Sequence, residues 1–369
     1  MSAGSALTQD EALARIRLLR SPNIGPVSYR QLLARFGTAS AALDALPDMV
    51  GRSGKAYTPA AEGRVAAEVA AVRKAGARYL FDDSPDYPPL LAEAEGAPPI
   101  LTMRGDPSHL HAPCVAVVGA RNASGAAVKL ARDFSHGLAE AGFTVVSGLA
   151  RGIDGAAHTG ALAAGEGRTV GVIASGIDIA YPPEHAELQE RIANEGVLLA
   201  EQPPRTEPLA RHFPTRNRII AGLAAGTLVV EAAPKSGSLI TARLAGEFGR
   251  EIMAIPGSPL DSRSHGCNQL IRDGAILVQR PEDVVELLSG FDGAARSSFR
   301  EFSSTTPWHE PDPAESAEVV GLLTLAPIGV DELIRQSGAT SASVQLALLE
   351  LEIAGRLHRH AGGRVSLSA

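Results

Sequence analysis

The chain has few aromatic rings: nine Phe, five Tyr and one Trp, 4% of 369 residues. A ligand with stacked bases must rely on few rings or on arginine planes. Cysteine is scarcer. Cys114 and Cys267 stand alone, which excludes a disulfide framework and a cysteine-ligated zinc site, and both are expected as buried free thiols. No apolar run reaches the ~18 residues of a membrane span, and the opening MSAGSALTQDEALARIRLL lacks the apolar core of a secretory signal. A cytoplasmic protein with no membrane partner is expected. Positive charge is also short. The net charge of −7 argues against a general polyanion binder, so nucleic-acid binding requires a local basic patch. Residues 1–110 carry 12 basic and 12 acidic side chains, 111–283 carry 16 and 18, and 284–369 carry 6 and 11. The acidity sits at the C-terminal end.

What is present is a large apolar fraction, 45%, with 20% charge, ordinary for a globular chain of two or three domains. Residues 1–75 read as helical. Glu11–Leu19 is amphipathic, Asn23-Ile24-Gly25-Pro26 makes a turn, and Val27–Phe36 forms a second helix stopped by Gly37. This is the pattern of a helix-hairpin-helix (SAM-like) domain, whose turn can seat a DNA phosphate. A small helical packing module is the alternative, since the turn itself has no Lys or Arg. A short strand, Ala77–Phe81, and an ordered Pro-rich connection at Asp86–Pro89 follow.

From Cys114 onward, apolar runs alternate with helical stretches. Strands are expected at Val115–Val118, Thr144–Ser147, Thr169–Ala174, Val197–Leu199, Thr227–Val230, Ile252–Ile255 and Ala275–Val278, with helices such as Ala126–Ala141, Gly155–Ala164, Pro183–Glu195 and Leu239–Phe248 between them. Near-continuous apolar runs are those of parallel strands buried on both faces. The expected class is α/β, a Rossmann-like doubly wound parallel sheet over 76–288, with its ligand past the carboxyl ends of the strands. Residues 289–314, rich in Ser, Thr, Pro and Gly, read as a linker. Residues 315–369 read as a winged helix: Glu315–Leu323, Val330–Gln336, a third helix Ser341–Ala354 capped by Thr340, and a hairpin around Gly362-Gly363.

The chemistry gathers at strand ends. FPTRNRIIAGLAAGTLVVEAAPKSGSLIT, Phe213 to Thr241, places two basic turns, Arg216-Asn217-Arg218 and Lys235-Ser236-Gly237-Ser238, on either side of one strand. Each turn is expected to open a helix, where backbone N–H groups and the helix dipole favour a phosphate; Thr241 lies one turn further on. Arg216 and Arg218 point in different directions, one toward the ligand and one bracing. Gly119-Ala120-Arg121 follows the first parallel strand without the spacing of a dinucleotide fingerprint. Arg121 either meets a phosphate or pairs with a carboxylate. Gly148 and Arg151 belong to the next rim loop, SGLARGID, where Asp154 is placed to cap the following helix and His158 lies one turn on, without a third partner for acid–base work. Gly176 offers backbone contact in a further rim loop. Asn268 starts a short helix, and its amide either reads a base edge or holds a loop. No P-loop and no nucleophile–base pair is present, so no cofactor is called for. Repeated Gly, Ser and Arg turns fit a chain of phosphates, and single-stranded nucleic acid is the natural ligand.

VAVVGARNAS, VVSGLARGIDGAAH, FPTRNRIIAGL, VVEAAPKSGSLITA and PGSPLDSRSHGCNQLIRDGA together resemble the DprA/Smf family, the DNA-processing proteins of bacterial transformation. The resemblance covers about residues 110–285. It implies an extended Rossmann domain that binds single-stranded DNA, forms a homodimer and loads RecA recombinase. It also implies a DNA pocket built from Arg121, Lys235 and Asn268, with backbone near Gly176 and the 237–241 turn. Leu239 stands where some members have an aromatic residue, and Ala120 where Ser is common. The third helix of the C-terminal domain has no basic residue and carries Glu350 and Glu352, which disfavours duplex reading by that helix. The rival class is an enzyme resembling phosphoribohydrolases of nucleoside monophosphates. It needs a glutamate soon after the Lys235 turn, and none comes before Glu247.

Overall fold

The computed structural model describes residues 7–51, 56–290, 313–360 and 362–368. Most of the linker expected at 289–314 therefore lies outside the described residues. The chain forms two compact units, one of Glu68–Ser298 and one that joins Met1–Ala67 to Phe299–Ala369.

The first helices are α1 (Gln9–Leu19), α2 (Pro26–Phe36), α3 (Ala39–Gly51) and α4 (Glu62–Lys74). The central unit then runs β1 (Arg78–Phe81), α5 (Pro89–Glu93), β2 (Ile100–Gly105), β3 (Cys114–Val118), α6 (Gly125–Glu140), β4 (Thr144–Ser147), α7 (Ile153–Ala163), β5 (Thr169–Gly176), α8 (Ala186–Glu195) and β6 (Val197–Gln202). It continues with α9 (His212–Leu223), β7 (Gly226–Val229), α10 (Gly237–Glu247), β8 (Glu251–Ala254), α11 (His265–Arg272), β9 (Ile276–Leu277) and α12 (Pro281–Leu288). Its nine strands form one sheet in the order β1-β2-β6-β5-β4-β3-β7-β8-β9. β6 through β9 in that order are parallel, and β2 and β1 extend the sheet antiparallel beyond β6.

Burial on both faces explains the apolar runs. All residues of β3 are buried, and the period of two divides them. Cys114, Ala116 and Val118 join a core with Ile219, Ile220 and Leu223 of α9. Val115 and Val117 face a second core with Ala131, Phe134 and Leu138 of α6. A strand with both faces covered has no polar side to show in its sequence. Cys114 and Cys267 are buried free thiols.

Several expected element boundaries shift. Arg216-Asn217-Arg218 is not a turn: it lies inside α9, which starts at His212. Pro214 is compatible with that start, because a proline in the first helical turn gives up no intrahelical bond. Asp154 is not a cap, since α7 begins one residue earlier behind Gly152. Asn268 is in the middle of α11 rather than at its start, and the stretch from Pro183 is a short 3-10 turn before α8. β2 fills a stretch with no expected element.

The other unit holds α1–α3 and a winged helix of α13 (Pro313–Leu322), β10 (Ile328–Gly329), α14 (Val330–Ser337), α15 (Ser341–Ile353), β11 (Leu357–His360) and β12 (Arg364–Leu367). Thr340 caps α15 by accepting from Ser343 N. The three strands pair antiparallel, β12 in the middle. α15 has two apolar faces. Val344, Ala347, Leu348 and Leu351 pack in the winged-helix core, whereas Leu346, Leu349 and Ile353 share a core with Leu18, Tyr29, Leu32 and Leu46 of the N-terminal helices. Polar bonds flank that shared core: Gln31 Nε2 donates to Gln345 Oε1 at 2.9 Å, and Asn23 Nδ2, in the hairpin turn, to the Ile353 carbonyl at 3.0 Å. The helix that a winged helix presents to a DNA groove is occupied here by protein on both sides.

Candidate nucleic-acid interface

β3 feeds α6 on one side of the sheet and its neighbour β7 feeds α10 on the other. The connections after these two strands therefore part and open a crevice, the usual ligand position in a doubly wound sheet. A cavity of about 440 Å³ lies there. Its walls include Gly119, Arg121, Arg216, Asn217, Lys235, Ser236, Gly237, Ser238 and Thr241.

The β7 side is a helix start. Lys235 takes a left-handed backbone, φ 71°, and turns the chain into α10. Ser236 is the N-cap but its side chain makes no capping bond; its hydroxyl meets that of Ser238 at 2.8 Å. The first amides of α10 thus stand at the cavity wall with the positive end of the helix dipole. Asn217 Nδ2 donates to the Gly237 carbonyl at 3.3 Å and ties α9 to this turn. Lys235 itself is exposed.

On the β3 side, Glu231 does the bracing, a role that nothing in the run VVEAAPKSGSLITA around it announced. Its buried carboxylate accepts from Ser124 N at 3.0 Å and Ser124 Oγ at 2.6 Å, while Ser124 Oγ accepts from Ala127 N and caps α6. Ala120 N donates to the Glu231 carbonyl at 2.7 Å. The loop is thereby fixed with Arg121 exposed at its tip, its guanidinium 4.8 Å over the Phe213 ring. Gly119 lines the cavity, yet its lack of a side chain serves packing: a β-carbon there would lie 2.6 Å from Ile153 Cγ1.

The floor is charged. Arg216 is only 6% exposed and donates from Nη1 to the Val172 carbonyl at 2.9 Å. Burial pulls its pKa down to about 10, with Asp154 opposing the fall, so the guanidinium stays charged at neutral pH. Burial pushes the Asp154 carboxyl up, and Arg216 counters it. His158 is a core residue: its Nδ1 meets Thr169 Oγ1 at 2.7 Å, and burial, then the neighbouring His185 and Arg216, lower its pKa to about 3. A neutral imidazole bonded away from Asp154 offers no acid–base pair. Among the described residues no cluster of ligands could hold a metal.

Five of the expected residues lie outside this cavity. Gly148 is a spacer for Arg216, since a β-carbon would fall 1.6 Å from Arg216 Nη1. Arg151 pairs with Glu184 and Arg218 with Glu201. Gly176 N donates to the Thr206 carbonyl at 2.9 Å, and a β-carbon on Gly176 would lie 2.5 Å from the Pro203 carbonyl oxygen. Asn268 uses both ends of its amide on one loop residue, accepting from Gly257 N at 3.1 Å and donating to Gly257 O at 3.0 Å. It lines a second cavity, about 720 Å³, which shares Pro234 and Lys235 with the first.

Three family models match the chain. "DNA recombination-mediator protein A" covers residues 78–289, "DprA-like N-terminal HHH domain" 9–71 and "DprA winged helix domain" 303–363. Protein Smf of Escherichia coli K12 is 40% identical over 295 residues, spanning 77% of this chain and 76% of that one. The crystal structure of DNA processing protein A from Streptococcus pneumoniae superposes with a TM-score of 0.64 at 38% identity, over 73% of this chain and 95% of that one. DNA processing protein A from Helicobacter pylori, described with a single-stranded DNA binding mode, gives 0.52 at 27% identity over 57% and 96%. With these matches and the fold they share, the chain belongs to the DNA recombination-mediator protein A, or DprA/Smf, family.

Proposed function

We propose that the cavity at the β3–β7 switch point grips the backbone of single-stranded DNA, and that the protein is a non-enzymatic mediator. In this reading it acts as a homodimer in the cytoplasm and loads RecA recombinase onto single strands during transformation and recombination. The observation that carries the reading is the pair of exposed cations, Arg121 and Lys235, at a cavity that also takes the N-terminus of α10. They concentrate positive charge in a chain whose net charge is −7, which favours phosphate at this place over the rest of the surface. The relative from Helicobacter pylori supports the choice of ligand by its described binding mode. Arg216 then stiffens the floor, and Asn268 ties the loop after β8 to α11. Arg151, Arg218 and the backbone at Gly148 and Gly176 support the rim from behind.

The enzyme reading has less support. The nearest carboxylates are in use: Glu231 caps α6 through Ser124, and Asp154 is buried opposite Arg216. Release of adenine from AMP by the purified protein would restore it. The direct test is the double charge reversal Arg121→Glu with Lys235→Glu. A gel shift on oligo-dT at moderate salt is expected to lose most of its binding, because phosphate neutralisation dominates such affinity. Undiminished binding by the folded double variant refutes the site.

A further inference from the structure

Two of the chain's few rings meet at the rim of the cavity. Phe213, in the first turn of α9, and Tyr181, in the connection from β5 to α8, have ring centroids 5.7 Å apart with planes tilted by 59°. The Arg121 guanidinium lies 4.8 Å over the same Phe213 ring. Two connections and the first turn of α9 thus bring a guanidinium, a ring and a second ring into one row of contacts. The contacts are unequal in exposure. Phe213 is half-buried and Arg121 exposed, and Tyr181 keeps 42% of its surface open. A pair that served core packing alone would bury its outer ring. Here the outer ring is presented to solvent, with its inner neighbour fixing its position. Leu239 provides no ring on the opposite side, where it lines the second cavity.

Planar guanidinium groups and phenol rings share one ligand chemistry, the π-face of a nucleobase. Their pre-ordering lowers the cost of immobilising them when a base arrives. We propose that the Arg121–Phe213–Tyr181 row is a base-stacking platform, on which unpaired bases next to the gripped phosphate stack against Tyr181 and the outer face of the Arg121 guanidinium. The inference rests on the single-stranded DNA reading above and adds how the strand is told from other polyanions. In a duplex the faces of the bases are covered by the base pairs stacked above and below and cannot use such a row, so it selects unpaired nucleic acid without reading sequence.

The experiment uses the full chain and two labelled oligomers of equal length, oligo-dT and an abasic strand with the same phosphates, followed by fluorescence anisotropy. Wild type is expected to prefer oligo-dT. Tyr181→Ala, at an exposed position, is expected to bind oligo-dT about tenfold more weakly, the loss of one stacked base, with abasic binding unchanged, and Tyr181→Phe to restore the preference. Unchanged oligo-dT binding by Tyr181→Ala, or an equal loss on both strands, overturns the platform and leaves the phosphate site standing. Failure of wild type to bind either strand overturns the single-stranded DNA reading and the platform with it.

Discussion

At Gly148 the backbone runs so close to the Arg216 guanidinium that a β-carbon would sit 1.6 Å from Nη1. The guanidinium is held in turn by the Val172 carbonyl, so it cannot swing away without giving up a buried hydrogen bond. Gly148→Ala is therefore expected to destabilise the sheet unit by roughly 1–3 kcal/mol, the range for forcing extra atoms into a packed site. Urea unfolding read by circular dichroism checks this, and an unchanged midpoint would mean that Arg216 is not seated beneath the cavity. In sequence Gly148 stood as a rim-loop residue of the ligand site; that its missing side chain makes room for Arg216 was not legible. Arg216 and Arg218 stand two apart in a basic run and look equivalent in sequence. Only the start of α9 decides which of them turns into the sheet, and Pro214 hides that start by reading as a turn. Asn268 shows the same limit. An amide suits a base edge and a loop equally, and the choice depends on where Gly257 lies in space.

Elements whose burial is complete were the easiest to read. β3, β4 and β5 are buried at every position, and continuous apolar runs announce them. β2 was not legible, because its pairings are made outside its own stretch, with Thr102 opposite Tyr79 of β1 on one side and Ala200 of β6 on the other, and local pattern carries no sign of them. β10, of two residues, pairs only with β12 and had no signal of its own. The lack of basic residues on α15 argued against groove reading, but not for what replaces it: one face in the winged-helix core and the other in the core of α1–α3. Leu349 belongs to the second face and is fully buried. Leu349→Ala is expected to cost about 2–5 kcal/mol, transfer and cavity terms together, and to do so across two stretches far apart in sequence. Hydrogen exchange should quicken in α1 and α2 as well as in α15, with the sheet unit unaffected. Faster exchange confined to α15 would show that the shared core does not couple these stretches.

For the whole molecule, the sign of the charge sets how the site must work. A chain with net charge −7 repels a polyanion everywhere except where cations are concentrated, so binding should depend on few phosphate contacts and not on a broad basic face. Counterion release makes that countable. Each phosphate neutralised on a single strand contributes about −0.7 to the slope of log K against log salt. Arg121 and Lys235 are the two exposed cations of the cavity wall, and together they call for a slope of about −1.4, shallow for a DNA-binding protein. Lys235→Ala is expected to flatten it by about 0.7 and to weaken oligo-dT binding in proportion at low salt. A much steeper wild-type slope, or one that Lys235→Ala leaves alone, would place the dominant phosphate contacts on another surface. The fold would be unaffected by that outcome, since the sheet and its two cores hold the crevice open without any ligand. A slope much shallower than about −1.4 would have the opposite meaning: the stack beside the basic mouth would carry most of the affinity, and the loss in Tyr181→Ala would persist at high salt, where phosphate contacts fade and stacking does not.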